Sequence, residues 1–189
     1  MPSASCLILL CGLFPMLLCA ASSLPRLSLE SLIQQSDTIV EGRVVRKWAA
    51  MDSENKFIWT HYEIKVNSTL KGEAQPSVEI GEPGGVLNGR SLLVPGGTPY
   101  TVGEEVSVFL YRTPIGYLRT TNYGQGKFVV SNDARVHANH GIDVGGAVIA
   151  AGTAVPLTGT NADSLDGTSR GDFESRVARI VKAQQGRRQ

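Results

Sequence analysis

Two histidines and an aspartate in the second half of the chain could together bind a metal ion. His137-Ala-Asn-His140 places two imidazoles three residues apart, and Asp143 follows. Imidazole and carboxylate groups are suitable ligands for zinc or a similar ion, so this spacing allows a metal-dependent hydrolase. Asn139 and Gly141 are typical of a loop, however, and no glutamate stands between the histidines as a general base. We therefore favour two exposed loop histidines and expect that activity needs no transition metal.

Other reactive-looking motifs do not match a catalytic pattern. The sequence GQGKF around Lys127 has Thr121 where a phosphate-binding loop needs a glycine, separated from Gly-Lys by four residues, and it leads into a strand. We interpret Gly124 and Gly126 as turn residues and Lys127 as an exposed strand charge. Glu104 and Glu105 are adjacent, so in a strand they point to opposite faces. There is no G-x-S-x-G elbow, and we predict neither a catalytic residue nor a cofactor.

Trp59 and His61 are the candidate ligand-binding residues. They belong to the polar face of a long strand pattern at 57–70, where apolar and polar residues alternate. An exposed aromatic side chain on a β-barrel can contact a peptide or a glycan. The alternative is that a loop or the C-terminal helix covers Trp59, since large aromatic side chains are mostly buried.

The N-terminal segment has the features of a secretory signal peptide. Residues 7–20 are apolar, no charged residue precedes Arg26, and small residues occupy 20–23. This pattern predicts a signal peptide at 1–22, cleaved near 21–23. The alternative is a retained membrane anchor, but the run is shorter than the ~20 residues of a span and contains Gly12 and Pro15. We expect a secreted or periplasmic protein with no stable membrane span after cleavage.

The cysteines and the charges exclude several further classes of protein. All three cysteines lie within the first 19 residues: Cys6, Cys11 and Cys19. A cleaved chain would have no disulfide, no thiolate metal site and no cysteine nucleophile. The 18 basic and 17 acidic residues nearly cancel, without the basic excess of a nucleic-acid-binding protein. We therefore predict no nucleic-acid partner.

Most of the chain after the leader has the pattern of β-strands. Residues 27–36 favour a short helix, and from Thr38 the apolar period changes to 2, which predicts a long antiparallel hairpin over 38–72. Shorter strand patterns follow, separated by Gly and Pro: 77–80, 90–94, 105–112, 116–121 and 127–131. Such spacing is typical of a β-barrel or β-sandwich.

The last fifty residues divide into a loop and a helix. Residues 141–170 are rich in Gly, Ala and Thr, which favours a long loop or linker with a short strand at 147–150. Residues 172–185 form an amphipathic helix pattern whose apolar stripe should pack on the barrel. The predicted organisation is a signal peptide at 1–22, a β-barrel domain at 23–140, a loop at 141–170, and a C-terminal helix with tail at 171–189.

Two groups of proteins share parts of this pattern. The shared positions are Ser36-Asp37, Ile39-Val40, Gly42, Val44, Leu70-Lys71-Gly72, Pro83-Gly84-Gly85, Gly103-Glu104 and Gly124 to Phe128. Over about 28–131 and the C-terminal helix, the chain resembles secreted bacterial proteins of unknown function. Its hairpin also resembles that of netrin-like modules, including the tissue inhibitors of metalloproteinases. Both resemblances imply a five-stranded OB-type Greek-key barrel.

The inhibitory mechanism of that family does not transfer to this chain. The resemblance implies zinc chelation by an N-terminal cysteine, whereas the expected mature chain has no cysteine. We therefore predict a mainly β, non-enzymatic binding module for an extracytoplasmic protein, peptide or glycan. The alternatives are a small extracytoplasmic metal-dependent hydrolase using His137, His140 and Asp143, and a structural component of the cell envelope.

Overall fold

A computed structural model describes residues 27–94, 97–138 and 165–187, and the backbone of 141–144 and 147–150. The fold is mainly β, as predicted, with one large sheet and two helices. The helices are α1 (Leu29–Gln35) and α2 (Arg170–Gly186). The strands are β1 (Thr38–Met51), β2 (Ile58–Lys71), β3 (Ser77–Pro83), β4 (Gly85–Leu87), β5 (Arg90–Leu92), β6 (Glu105–Arg112), β7 (Leu118–Thr120), β8 (Lys127–Val130), β9 (Arg135–Ala138), β10 (Gly141–Val144), β11 (Ala147–Ala150) and β12 (Thr168–Ser169).

The predicted long hairpin is confirmed. Strands β1 and β2 pair antiparallel along their whole length. Asp52 closes the turn, because its carboxylate accepts hydrogen bonds from the backbone N–H groups of Lys56 and Phe57. The predicted apolar parity of β2 is the buried one, and it contains Ile58, Thr60, Tyr62 and Ile64. The alternation in the sequence therefore identified the inner face correctly.

The large sheet has the strand order β1-β2-β3-β7-β6-β8-β9-β12, and β1 also pairs with β6. All of its pairings are antiparallel except one, the parallel contact of β3 with β7 at Ile80 and Leu118. Strands β4 and β5 form a separate small hairpin. Strands β10 and β11 form another. The strand predicted at 147–150 is thus confirmed, and residues 141–144 of the predicted loop form the strand that pairs with it. The rest of that loop up to residue 164 lies outside the described residues.

Two apolar clusters lie on opposite faces of β6. Phe109 faces the helices, where it packs with Phe128 and Phe173. Val108, the neighbouring residue, faces the other cluster together with Ile64. Adjacent strand residues point in opposite directions, so a strand that is apolar on both sides has a core on both sides.

Both helices form where the sequence predicts them. Ser28 caps α1 by accepting a hydrogen bond from Ser31 N at 3.1 Å, and Ser169 caps α2 by accepting from Asp172 N at 3.1 Å. The apolar stripe of α2 is buried against the sheet: Phe173, Val177 and Val181. Among the described residues, no helix is long and apolar enough to cross a bilayer. The predicted signal peptide lies outside them.

Removing one methyl group from the inner face of β2 tests this assignment. Ile64 is 0% exposed, whereas Ile115 is 65% exposed. Ile64→Val should lower the free energy of unfolding by ~0.5–1.5 kcal/mol, and Ile115→Val should change it by less than ~0.5 kcal/mol. Urea unfolding of both variants makes the comparison. Equal losses would show that the inner face has been assigned wrongly.

Candidate functional site

The register of the β1–β2 hairpin brings aromatic side chains together on its outer face. Trp48 of β1 lies directly opposite His61 of β2, and Ala50 lies opposite Trp59. The Trp48 and His61 rings stack with centroids 5.3 Å apart and an interplanar angle of 10°. Residues two apart on a strand share a face, so Trp59 and His61 are neighbours along β2.

A tyrosine from a distant turn completes this group. Tyr117 precedes β7, and its ring lies 4.9 Å from that of Trp59 and edge-on to that of His61 at 5.4 Å. Gly81 of β3 makes room for it, because a Cβ at Gly81 would lie 3.3 Å from Tyr117 Cγ. Thr113 fixes the turn, since its hydroxyl accepts a hydrogen bond from Tyr117 N at 3.0 Å. We call Trp48, Trp59, His61 and Tyr117 the aromatic face.

Charged groups of both signs border the aromatic face. The Arg46 guanidinium lies 4.3 Å from the Trp48 ring centroid and pairs with Glu63 at 3.1 Å. On the other side, the Arg119 guanidinium lies 5.9 Å from the Trp59 centroid. Guanidinium groups at these distances are attracted to the ring faces. The border therefore offers hydrogen-bond donors and acceptors beside apolar rings.

His61, one of the two predicted ligand-binding residues, lies under other side chains of the aromatic face. His61 is only 6% exposed, because Trp48 and Tyr117 cover its ring and the carboxylate of Glu79 lies 2.9 Å from Nδ1. Within the site, the His61 ring stacks against the Trp48 ring and holds it in position. Trp59 is half-buried under Tyr117, so the covering-loop alternative describes it better than the exposed one. Its indole N–H is buried without a partner among the described residues.

Of the three proposed metal ligands, only His137 has a side chain that the structure describes. His137 lies in β9 and not in a loop, and its Nδ1 is 3.4 Å from the Asp166 carboxylate. No group of three potential ligands occurs among the residues whose side chains are described. His140 and the side chain of Asp143 lie outside them.

Lys127 is buried, which corrects its assignment as an exposed strand charge. Its ammonium donates to Pro99 O at 2.8 Å, pairs with Glu104 at 2.9 Å and lies 4.6 Å from the Tyr100 ring. The loop before β6 folds back over β8 and covers this side chain. The neighbouring Glu105 instead reaches Arg43 at 2.7 Å, which confirms that the two adjacent glutamates point to different faces.

A buried carboxylate lies at the end of β3, beside a cavity of about 220 Å³. Burial raises the pKa of Glu82, while hydrogen bonds from backbone N–H groups oppose that rise. Its two oxygens accept hydrogen bonds from Thr120 N at 2.9 Å and Thr98 N at 3.3 Å. Because both oxygens have donors, Glu82 attaches the loop at 97–104 to the sheet, and we assign it a structural role.

Two members of the aromatic face, Trp48 and Tyr117, were not among the predicted site residues. Trp48 could have been found by counting outward from the hairpin turn to its partner His61. Tyr117 has no such local signal, because the turn that carries it meets β2 only in the folded chain. Comparisons with models of known protein families, with curated proteins and with solved structures found no match to this chain.

Proposed function

We propose that the chain is an exported, non-enzymatic binding module built on a five-stranded OB-type Greek-key barrel. The strand pairings support this architecture. They run from β1 through β2, β3, β7 and β6, and β6 pairs again with β1. A cyclic order of five strands is what such a barrel requires, and the parallel contact of β3 with β7 is its weakest link. Export rests on the apolar leader and places the protein outside the cytoplasm, secreted or in the periplasm.

The aromatic face is the observation that carries the proposed function. OB-type barrels bind oligosaccharides and oligonucleotides on the face formed by their second and third strands and the adjoining loops. Here β2 provides Trp59 and His61, β3 provides the space at Gly81, and the turn before β7 provides Tyr117. The formal net charge of +1 does not favour a nucleic acid. The ligand classes that remain are a glycan and a peptide.

The geometry around Trp48 supports a specific mode of ligand binding. His61 already stacks on the indole, and Arg46 lies over it. The side chain of Arg46 is 64% exposed, so a sugar or peptide ring can displace it at small cost. Glu63 would then be free to accept a hydrogen bond from the ligand. The expected binding mode is thus ring stacking with polar contacts at the border.

Tryptophan emission provides a direct test, because the chain contains only two tryptophans and both belong to the aromatic face. The first step is to recover ligands from cell-envelope extract with the tagged protein, separated into polysaccharide and peptide fractions. Titration with the binding fraction should shift the emission. Tyr117→Ala should weaken binding about 3- to 10-fold, which corresponds to the ~0.5–1.5 kcal/mol of one aromatic contact.

Tyr123→Ala is the matched control for this titration. Tyr123 is exposed on the chain after β7 and makes no ring contact with the aromatic face. Its removal should leave the affinity unchanged. If no envelope fraction shifts the emission, or if the Tyr117 variant binds as tightly as the wild type, the aromatic face is not the ligand site.

A further inference from the structure

Positive charge is concentrated at the end of the chain. The last 14 residues contain five of the 18 basic residues and no acidic residue, although the whole chain has a formal net charge of only +1. Most of this segment is the second half of α2. A local excess of this kind creates a positive potential that the balanced composition of the chain conceals.

The basic side chains of α2 are available for a partner. Four of them are described and exposed: Arg176, Arg179, Lys182 and Arg187. None of the four forms an ion pair with any residue that the structure describes. The acidic residues of the helix are already engaged near its start, since Asp172 accepts from Ser169 at 2.7 Å and Glu174 from Arg170 at 2.9 Å.

Three of these residues form a straight row along one side of the helix. Arg179 and Arg187 follow Arg176 at spacings of 3 and 11 residues, which places all three on one side over ~16 Å. Phe173 and Val177 fix the apolar stripe of α2 in the core, so the helix cannot rotate. With about 100° between successive residues, the row lies beside this stripe, roughly a third of a turn away, and stays exposed on the side of the helix next to α1.

The basic row lies next to α1 and to the point where the chain enters the fold. Helix α1 packs beside α2, where Gln184 donates to Glu30 O at 2.9 Å. Between them lies a cavity of about 510 Å³, whose lining includes Glu30, Arg179 and Arg187. The chain enters α1 directly from the N-terminal segment, of which residues 7–20 are uncharged and apolar. The chain therefore joins the described fold at α1, beside the end of α2 that carries the basic row.

From this exposed row of positive charge, which has no ion-pair partner among the described residues, we propose that the basic row of α2 docks on anionic phospholipid headgroups. Lys and Arg side chains are attracted to such a surface, and the attraction falls off within a Debye length of ~8 Å at physiological ionic strength. Docking is peripheral, because the apolar stripe of α2 is buried in the core and cannot insert into the bilayer. The aromatic face has no part in this contact, so the proposal does not depend on the proposed function.

Co-sedimentation of the full chain with vesicles tests the proposal. Vesicles of phosphatidylcholine alone are compared with vesicles that also contain phosphatidylglycerol, and the measured quantity is the ratio of the two binding constants. An apolar leader that is still attached contributes equally to both, so the ratio isolates the effect of lipid charge on the full chain and on the cleaved chain alike. We expect the wild type to bind the phosphatidylglycerol vesicles at least about tenfold more tightly and to lose this preference as salt is added.

The double variant Arg176→Glu, Arg179→Glu should abolish the preference. The control Lys56→Glu, Arg90→Glu changes the net charge equally at exposed sites in the β1–β2 turn and in β5, and it should keep most of the preference.

Circular dichroism and urea unfolding verify that both variants are folded, and Arg176→Gln, Arg179→Gln provides a milder test. A wild type without preference, or equal losses in both double variants, would overturn the proposal. Tighter binding to a soluble polyuronate than to the vesicles would also overturn the proposal, because the row would then be a binding site for an acidic polysaccharide.

Discussion

Phe173→Ala is expected to lower the free energy of unfolding by ~3–5 kcal/mol. Phe173 is the first apolar residue of α2 and is fully buried. Its ring lies 5.1 Å from that of Phe128 and 6.3 Å from that of Phe109. Alanine would leave a cavity between the helix and the sheet and would also remove the aromatic contacts. A domain of this size has a total stability of only ~5–15 kcal/mol, so the variant should be close to unfolding.

Phe57→Ala provides the matched control, because Phe57 is 54% exposed at the hairpin turn. The same change of side chain there should cost less than ~0.5 kcal/mol. Urea unfolding followed by far-UV circular dichroism measures both variants. A loss below ~1 kcal/mol for Phe173→Ala would mean that α2 does not cover the core in solution.

Sequence periodicity was sufficient for the elements whose pattern is local. The apolar stripe of α2 predicted a helix at 172–185, and the helix spans 170–186. The alternation in 57–70 identified both the strand and its buried face, because burial of alternate residues is a property of the strand itself. The polar residues on the other face of this strand are not all exposed, since His61 is buried.

The outer face of the hairpin shows why exposure was predicted less well than strand direction. His61 is buried because Trp48 and Tyr117 cover it, and the glycine at position 81 leaves room for Tyr117, since a Cβ there would lie 3.3 Å from Tyr117 Cγ. Neither Tyr117 nor Gly81 is near His61 in sequence. Lys127 is buried for a similar reason, since the loop before β6 returns over it and provides Glu104 as its partner. Contacts of this kind form only in the packed fold, so they cannot be predicted from the alternation of residues along one strand.

A buried carboxylate under α2 should make the stability of the fold depend on pH. Glu41 of β1 is 1% exposed. Arg170, the first residue of α2, donates to it at 2.9 Å and also to Glu174 at 2.9 Å. One guanidinium is thus shared by two carboxylates, and the second oxygen of Glu41 has no donor among the described residues.

This arrangement raises the pKa of Glu41 from 4.5 to about 7. The largest cause is burial, followed by the hydrogen bond with Glu174, and the charge of Arg170 opposes both. A proton on Glu41 relieves the repulsion between the carboxylates and supplies the missing donor. Between pH 4.5 and about 7 the folded state therefore holds a proton that the unfolded state has released. In that window the free energy of unfolding falls as the pH rises. Above and below the window, the titration of Glu41 does not change the free energy of unfolding.

The expected size of this effect is ~3 kcal/mol across the window, from ~1.4 kcal/mol per pKa unit. Glu41→Gln should remove it, because the amide cannot titrate but still accepts from Arg170 through its carbonyl and donates to Glu174. The test is urea unfolding of both proteins from pH 4 to pH 8. The quantity of interest is the difference between their free energies of unfolding, in which contributions common to both proteins cancel. The wild type should lose stability relative to the variant as the pH rises.

Glu174→Gln, which leaves Glu41 in place but removes the second carboxylate, should show a smaller slope than the wild type. Parallel pH profiles for the wild type and Glu41→Gln would mean that Glu41 is ionised throughout and that Arg170 alone compensates its burial.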